Sequence, residues 1–247
     1  MTQPLVLSLF PGIGLLDMAF EEEGFCVVRG PDLLWGGDVR RFHPPAGRFE
    51  GIIGGPPCKR WSRLAHMVVA NGYGLAEDLI PEYCRVVAGA GPAWFLMENV
   101  PAAPLPEVPG YVVHSSEVRD DWFGGLTIRK RRFSFGTAEG QRLPLRPEQR
   151  TTWEPAHAVL AGNSRPVPVQ GLKGGKRKRT AELNRGSTAA TRFEEAKRLS
   201  GLPPDLDLPP FTASAKCEAV GNGVPLRMGR AVARAVKRAM YPDSEAA

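Results

Sequence analysis

Residues 4–24 read PLVLSLFPGIGLLDMAFEEEG. The apolar run over 4–10 is typical of a buried strand, and the turn Pro11–Gly14 follows it at once. Apolar residues then recur at helical spacing until Gly24, which is a common stop signal for a helix. A strand, a glycine turn and a helix in this order bring backbone groups to nucleotide-like ligands, although many such turns are only tight connections. The stretch predicts the first unit of an α/β sheet. Candidate strands and helices alternate from there to about residue 136, as a parallel sheet requires.

A cysteine follows a second apolar run. Residues 49–53 predict a buried strand, and residues 54–62, GGPPCKRWS, place Cys58 on a loop at its carboxyl end. Ligands and chemistry collect at that edge of open α/β sheets. Two prolines restrict the loop, so the thiol is held in place, and the cations Lys59 and Arg60 favour the reactive thiolate. The pattern predicts a nucleophile, whereas a lone Pro-Pro-Cys is more often an ordinary turn.

Acidic side chains end two further strand candidates. Residues 26–32 end in Asp32, and Asp38 follows two glycines. Either carboxylate could reach a ribose or another polar edge of one ligand, and either could equally serve a turn or a helix cap. The apolar run 93–97 ends in Glu98. A carboxylate at a buried strand end can have a raised pKa and share a proton with a bound base, or it can cap a neighbouring helix.

Two later segments complete the pattern. The basic cluster 129–132 precedes an alternating strand-like run and could hold a phosphate or a base edge, or be a solvated face. The glycine-asparagine turn 221–225 leads into residues 226–236, which predict a basic amphipathic helix that returns beside the first strand.

In this order, the segments resemble the motifs of the cytosine-C5 DNA methyltransferases. The motifs stand here as SLFPGIG at 8–14, GGPPC at 54–58, ENV at 98–100, RKR at 129–131 and GNGVP at 221–225, with a weaker RFEEAKRLSGLPPD at 192–205. Each is modest alone, but the ordered set spans almost the whole chain. Three departures stand out: Lys59 replaces the usual glutamine, the arginine motif lacks its glutamine, and the stretch before Asp38 is short.

The resemblance implies an α/β fold with a Rossmann-like class I methyltransferase sheet and a small target-recognition lobe. We expect a catalytic and cofactor-binding domain over 1–136 and a target-recognition region over 137–190. The C-terminal segment 191–247 should return to the catalytic domain.

The resemblance also implies an enzyme that moves a methyl group from S-adenosyl-L-methionine to C5 of a flipped cytosine in double-stranded DNA, through a covalent adduct at Cys58. The implied catalytic residues are Cys58, Glu98, Arg129 and Arg131, with Arg131 at the cytosine O2 and Arg129 supporting Glu98 or the backbone. Cofactor contacts are implied for Phe10, Gly12, Ile13, Gly14, Asp32, Asp38, Val39, Pro57, Asn222 and Gly223. Nucleic-acid contacts are expected from Lys59, Arg60, Ser62, Lys173, Lys176, Arg177, Lys178 and Arg179.

Composition agrees with this interpretation. The 247 residues suffice for one substantial core, and the net charge of +6 suits a polyanionic partner. The four cysteines form no C-x-x-C pair, which favours a reduced chain without a structural metal. No signal peptide or membrane-spanning run is visible. We expect a monomer in the cytoplasm of a bacterial or phage-infected cell, without a membrane partner.

Three alternatives stay open. A branch of the same family methylates cytosine C5 in tRNA, and a non-catalytic relative could keep the fold and bind nucleic acid, although Cys58 and Glu98 are intact. An unrelated cysteine hydrolase of similar fold would need a histidine partner. The histidines show no motif context; they are His43, His66, His114 and His157.

The basic segment 173–179 generates a first prediction. Glycines at 171, 174 and 175 make it too mobile for fixed base contacts, so we expect it to track phosphates. Replacing Lys176, Arg177, Lys178 and Arg179 with Ala should weaken binding to all duplexes alike. The salt dependence should flatten by about one unit of slope per lost phosphate contact. Methylation mapped on a random-sequence library at two salt concentrations checks this, and a shifted target motif with an unchanged salt slope contradicts it.

Overall fold

The computed structural model describes residues 3–61, 71, 75–148 and 189–242. Its strands are β1 (Leu5–Leu9), β2 (Cys26–Arg29), β3 (Gly51–Gly54), β4 (Trp94–Asn99), β5 (Val112–Arg119) and β6 (Lys130–Thr137). Its helices are α1 (Leu15–Glu22), α2 (Ile80–Ala90), α3 (Ala189–Ser200), α4 (Ala213–Asn222) and α5 (Leu226–Met240). The strands and helices predicted at the motifs are confirmed within one or two residues at most ends. Among these helices, none combines the length and apolar character needed to span a bilayer.

The strands form one sheet in the order β2-β1-β3-β4-β6-β5. The first four strands pair in parallel, as the alternation of strands and helices predicts. β6, however, runs antiparallel to β4, so the expectation of a parallel sheet is wrong for this pair. An apolar run shows that a strand is buried but carries no signal for its direction, and that is why the reversal was not predicted.

The register aligns the strand ends that carry the motifs. Leu9, Gly54, Met97 and Ser134 lie side by side across β1, β3, β4 and β6. Three parallel carboxyl ends and the amino end of β6 therefore share one edge of the sheet. β1 lies between β2 and β3, so the chain reverses its direction of winding at β1, which is where ligands bind in such sheets.

The core explains why the sheet is stable. β3 and β4 are buried along their whole lengths. On one face, Tyr83 and Val87 of α2 pack in a cluster with Ile52 and Phe95 of the strands. Elsewhere in the core, Trp94 packs against the rings of a pair of phenylalanines, Phe20 and Phe25.

Contacts within the chain define two compact units. The first comprises Met1–Val118, Lys130–Arg146 and Arg230–Ala247, and the second comprises Arg119–Arg129 and Pro147–Gly229. The first unit holds almost the entire sheet, whereas the second holds α3 and α4. The sequence predicts a different division, into 1–136, 137–190 and 191–247. Its boundaries differ from those of the two compact units, and it stays a prediction about function.

The basic face of α5 has partners inside the first unit. Arg230 pairs with Glu22, and Arg234 lies 2.9 Å from a carboxylate oxygen of Glu23. These arginines neutralise the acidic end of α1. Two of the basic side chains of this helix thus have acidic partners within the first unit.

Two glycines test the packing of the sheet. A Cβ at Gly136 would lie 2.2 Å from the ring of Phe95, its partner in β4. Gly136→Ala should therefore lower the free energy of unfolding by about 1–3 kcal/mol through overpacking. Gly89 of α2 is the control, because a Cβ there meets nothing within 4 Å, and Gly89→Ala should raise it by about 0.5–1 kcal/mol. Urea titration measures both, and equal midpoints for the two variants would contradict this packing.

Candidate active site

Glu98 and Arg131 form an ion pair at the shared edge of the sheet. Nε of Arg131 lies 2.6 Å from Oε1 of Glu98, and only 8% of Glu98 is exposed. Glu98 pairs with Phe133 in the register, and Arg131 stands two residues before Phe133, so the two charged side chains share one face. The carboxylate predicted at this strand end is thus held by a cation rather than used as a helix cap.

The cysteine loop passes directly over this carboxylate. A Cβ at Gly55 would lie 2.9 Å from Oε2 of Glu98, so glycine is needed for the approach. Cys58 is partly buried at the end of the loop. Its carbonyl accepts from the amide of Trp61 (2.9 Å), which closes the short 3-10 turn Lys59–Trp61. The sheet edge therefore brings the loop of the predicted nucleophile to the predicted acid.

The flanking basic residues are partly used by the loop itself. The guanidinium of Arg60 donates to the carbonyl of Ala76 (3.3 Å) and lies 5.5 Å from the ring centre of Trp61. Lys59 lies in the same short turn. Their predicted contacts with nucleic acid stay predictions. Ser62 and the basic residues Lys173, Lys176, Arg177, Lys178 and Arg179 lie outside the described residues.

Arg129 supports backbone in the second unit. Only 4% of it is exposed, and its Nη2 donates to the carbonyls of Gly221 (2.8 Å) and Gly223 (2.9 Å). The resemblance implied that Arg129 supports either Glu98 or the backbone. In the structure Arg129 donates to backbone carbonyls, and Arg131 is the residue that pairs with Glu98. Asn222, predicted to bind the cofactor, ends α4 between the two carbonyls that Arg129 holds.

Two residues beside Arg129 were missed. Oδ2 of Asp120 accepts from the amide (3.1 Å) and the hydroxyl (2.7 Å) of Thr127, and burial raises the pKa of Asp120. These bonds shape the segment that leads to Arg129. Thr127 occupies the position of the missing glutamine, and this departure from the motif was the signal that could have drawn attention to it. Asp120 belongs to no motif and had no such signal.

The turn after β1 is strained and open. Phe10 has a φ of 55°, and it is the one non-glycine residue with a left-handed backbone in the described part of the chain. Such a conformation costs about 1–2 kcal/mol, and strain of this kind concentrates at binding sites. Gly12 also has a positive φ, of 56°, and a Cβ there would meet nothing within 4 Å. The turn therefore leaves free space beside its backbone, with Ile13 half-buried next to it.

The side chains of Asp32 and Trp35 hydrogen-bond the backbone N–H and C=O of Gly12. Oδ2 of Asp32 accepts from the amide of Gly12 (2.8 Å), and Oδ1 accepts from the amide of Leu34 (2.7 Å). The indole of Trp35 donates to the carbonyl of Gly12 (2.6 Å). Trp35 is 55% exposed and was not singled out from the sequence, where its position before two glycines was the only signal. Asp32 thus caps a 3-10 turn, as the second alternative proposed. The contact of Asp32 with a ribose stays a prediction.

Asp38 and Val39 lie in the next 3-10 turn. The carboxylate of Asp38 accepts from the amide (3.0 Å) and the guanidinium (2.9 Å) of Arg40, and these hydrogen bonds lower the pKa of Asp38. Val39 is buried in the core, and its carbonyl accepts from Arg85 of α2 (2.8 Å). Asp38 is again a cap, as the alternative proposed. The predicted cofactor contacts of both residues, and of Pro57 and Gly223, remain untested predictions.

Comparison with known proteins matches part of the chain. The model of the C-5 cytosine-specific DNA methylase family matches residues 37–105. Two type II methyltransferases, M.NgoPII of Neisseria gonorrhoeae and M.FnuDI of Fusobacterium nucleatum, are each 32% identical over 114 and 111 residues. Each alignment covers 38% of this chain, and it covers 33% and 32% of the two relatives. The chain thus spans only about a third of the length of these relatives.

Solved structures match nearly the whole chain. The methyltransferase EhMeth of Entamoeba histolytica aligns with a TM-score of 0.65 over 99% of both chains, at 12% identity. A variant of DNMT2 from Spodoptera frugiperda aligns with a TM-score of 0.62 over 95% of this chain and 99% of its own, also at 12% identity. At such identities the likeness establishes the fold, and the predicted Rossmann-like methyltransferase fold is confirmed.

A buried carboxylate behind the turn after β1 predicts a pH effect. Asp17 of α1 is fully buried; its Oδ1 accepts from the hydroxyl of Ser8 (2.5 Å), and its Oδ2 lies 3.1 Å from Nε of Arg29. Arg29 in turn fills the space that a Cβ at Gly14 would need, 2.5 Å from that position. Gly14 also has a positive φ of 81°, so glycine at this position is explained by the backbone conformation, whatever its role toward a ligand.

Burial raises the pKa of Asp17 above its ordinary value of 3.8, against the opposing effects of Ser8 and Arg29. Between these two pKa values the folded state binds more protons than the unfolded state, so stability falls as pH rises. Relative to Asp17→Asn, the wild type should lose stability from about pH 4 upward and level off once the carboxyl is fully ionised. Urea titrations of both proteins across pH 4–7 measure this difference, and a difference that grows in favour of the wild type with pH would refute it.

Proposed function

We propose that this chain is a member of the cytosine-C5 DNA methyltransferase family and transfers a methyl group from S-adenosyl-L-methionine to C5 of cytosine in double-stranded DNA. The match to that family's model over residues 37–105 and the similarity to two type II methyltransferases support this. One observation carries the proposal. Gly55, in the loop of Cys58, lies against the carboxylate of Glu98, and Nε of Arg131 lies 2.6 Å from Oε1 of the same carboxylate. At this edge of the sheet, the thiol is the nucleophile and the carboxyl group is the acid that methylation of a cytosine ring carbon by covalent addition requires.

The turn after β1 fits the cofactor. S-adenosyl-L-methionine supplies the methyl group as a sulfonium electrophile. The strained Phe10 and the open space beside Gly12 are the features on which this assignment rests. Asp32 and Trp35 keep the turn in shape through Gly12. The further contacts assigned to Asp38, Val39, Asn222 and Gly223 rest on the resemblance alone.

Cys58 starts the reaction by covalent catalysis. The C6 atom of cytosine is a weak electrophile, so a thiolate must add to it and push an electron pair toward C5. A bond between Sγ of Cys58 and C6 makes C5 nucleophilic enough to accept the methyl group. Loss of the C5 proton to a base then lets the electron pair of the C5–H bond form the C5–C6 double bond and expel Cys58 as thiolate. The proton gained at N3 returns to Glu98, which restores the neutral ring.

Glu98 and Arg131 support the addition step. A carboxyl group that hydrogen-bonds the N3 and N4 edge of the base stabilises the proton gained at N3 as Cys58 adds. Arg131 uses Nε for Glu98, and its guanidinium has further donors for the cytosine O2. Because C5 and C6 are covered in a stacked duplex, the cytosine must leave the stack to reach these side chains.

Replacing the nucleophile tests the proposal. Cys58→Ser should abolish methyl transfer to duplex DNA, because a serine hydroxyl is a far weaker nucleophile than a thiolate, while the affinity for DNA is kept. Cys26→Ser is the matched control, since Cys26 is exposed on β2 away from the strand edge that carries Cys58, and it should retain most activity. Transfer of labelled methyl groups from S-adenosyl-L-methionine to genomic DNA gives the measurement.

A Cys58→Ser enzyme with near-normal turnover would rule out covalent catalysis. The same assay with tRNA as acceptor separates the RNA alternative, because methyl transfer to tRNA but not to duplex DNA would reassign the substrate. A wild type that transfers no methyl group to either acceptor, although it binds both, would support the non-catalytic alternative.

A further inference from the structure

Asn99 joins the strand of Glu98 to the loop of Cys58. It is the last residue of β4, and only 2% of it is exposed. Its Oδ1 accepts from the amide of Val100 (2.8 Å), and its Nδ2 donates to the carbonyl of Pro56 (3.2 Å). These partners fix the orientation of the side-chain amide, because an amide N–H must face an oxygen and a carbonyl must face a donor.

The loop needs such a donor from outside. β3 ends at Gly54, so the ladder of the sheet stops before Pro56. Neither Pro56 nor Pro57 has an N–H with which to bond a neighbouring strand. The prolines limit the shape of the loop, but they do not anchor it to the sheet. The bond from Asn99 to Pro56 supplies an anchor two residues before Cys58.

We propose that Asn99 is a positioning residue that sets the distance between the thiol of Cys58 and the carboxylate of Glu98. Glu98 and Asn99 are neighbours in one strand, so the residue that supplies the acid is covalently linked to the residue that anchors the nucleophile loop. The inference rests on the proposed function, because Asn99 affects the reaction only through the position of Cys58. Asn99 itself acts on the carbonyl of Pro56 and needs no contact with the base.

Two variants remove the anchor in different ways. Asn99→Asp keeps the size and the acceptor for Val100 but places an oxygen against the carbonyl of Pro56. Asn99→Ala removes both bonds without adding a charge, so it covers the case in which the aspartate prevents folding. Thr137→Val is the matched control. Thr137 is fully buried in β6, opposite Trp94 at the other end of β4, and its hydroxyl accepts one backbone bond, from Gln141 (2.9 Å).

The first readout is the rate at which each protein forms a stable adduct with a duplex that carries 5-fluorocytosine, where the fluorine cannot leave as the proton does. Displacement of a reacting group by an ångström costs about a hundredfold in rate, so we expect a loss of roughly tenfold to a hundredfold in both Asn99 variants. For Asn99→Ala, the KM for S-adenosyl-L-methionine and the thermal midpoint should match those of Thr137→Val. A rate equal to that of Thr137→Val would overturn the proposal.

The second readout does not depend on methyl transfer. Iodoacetamide alkylates thiols, and mass spectrometry follows the modification of Cys58 in the absence of DNA. Release of the loop should speed alkylation by about fivefold in the Asn99 variants, the factor that corresponds to one typical hydrogen bond. Alkylation at the rate of Thr137→Val would show that Asn99 anchors nothing. A wild type without adduct or methyl transfer would refute the proposed function, and alkylation would still decide the role of Asn99.

Discussion

The shared register of the strand ends is the constraint on which the candidate site depends. β1, β3 and β4 run parallel, and β6 runs against β4, so three carboxyl ends and one amino end share a single edge. Glu98, Arg131 and the loop of Cys58 meet there because of this alignment. A slip of one residue in β4 would turn Glu98 to the other face of the sheet and break its pair with Arg131. The buried side chains of β3 and β4 make such a slip costly.

The loops at this edge share a second property, because they are rich in proline and glycine and contribute few N–H groups of their own. Side chains from regular elements or neighbouring turns supply the missing donors. Asn99 donates to Pro56, Arg132 donates to Pro101, Ala103 and Pro104, and Trp35 donates to Gly12. Partial burial among these carbonyls lowers the pKa of Arg132. The loops are thus held by specific bonds rather than by regular secondary structure.

Local patterns in the sequence were enough to predict the elements and the positions of the motifs. The glycine turn after β1, the proline loop after β3 and the carboxylate at the end of β4 all follow from short-range signals. The direction of β6 did not, because burial and alternation are the same for either direction. The pairing of Glu98 with Arg131 rather than with Arg129 depends on which strands become neighbours, and nothing local records that. Asp120 and Trp35 belong to no motif themselves, and their bonds to Thr127 and Gly12 became visible only in three dimensions.

The covalent bond to Cys58 is the central claim, and peptide mapping of a trapped complex tests it most directly. The protein would be incubated with S-adenosyl-L-methionine and a duplex containing 5-fluorocytosine, and then digested with trypsin and nuclease. Cleavage after Arg48 and Lys59 releases residues 49–59, in which Cys58 is the single cysteine. The account predicts the methylated fluorocytosine nucleotide on this peptide. A nucleotide attached to a peptide of Cys26, Cys84 or Cys217, or a methylated duplex with no attached nucleotide on any cysteine, would contradict it.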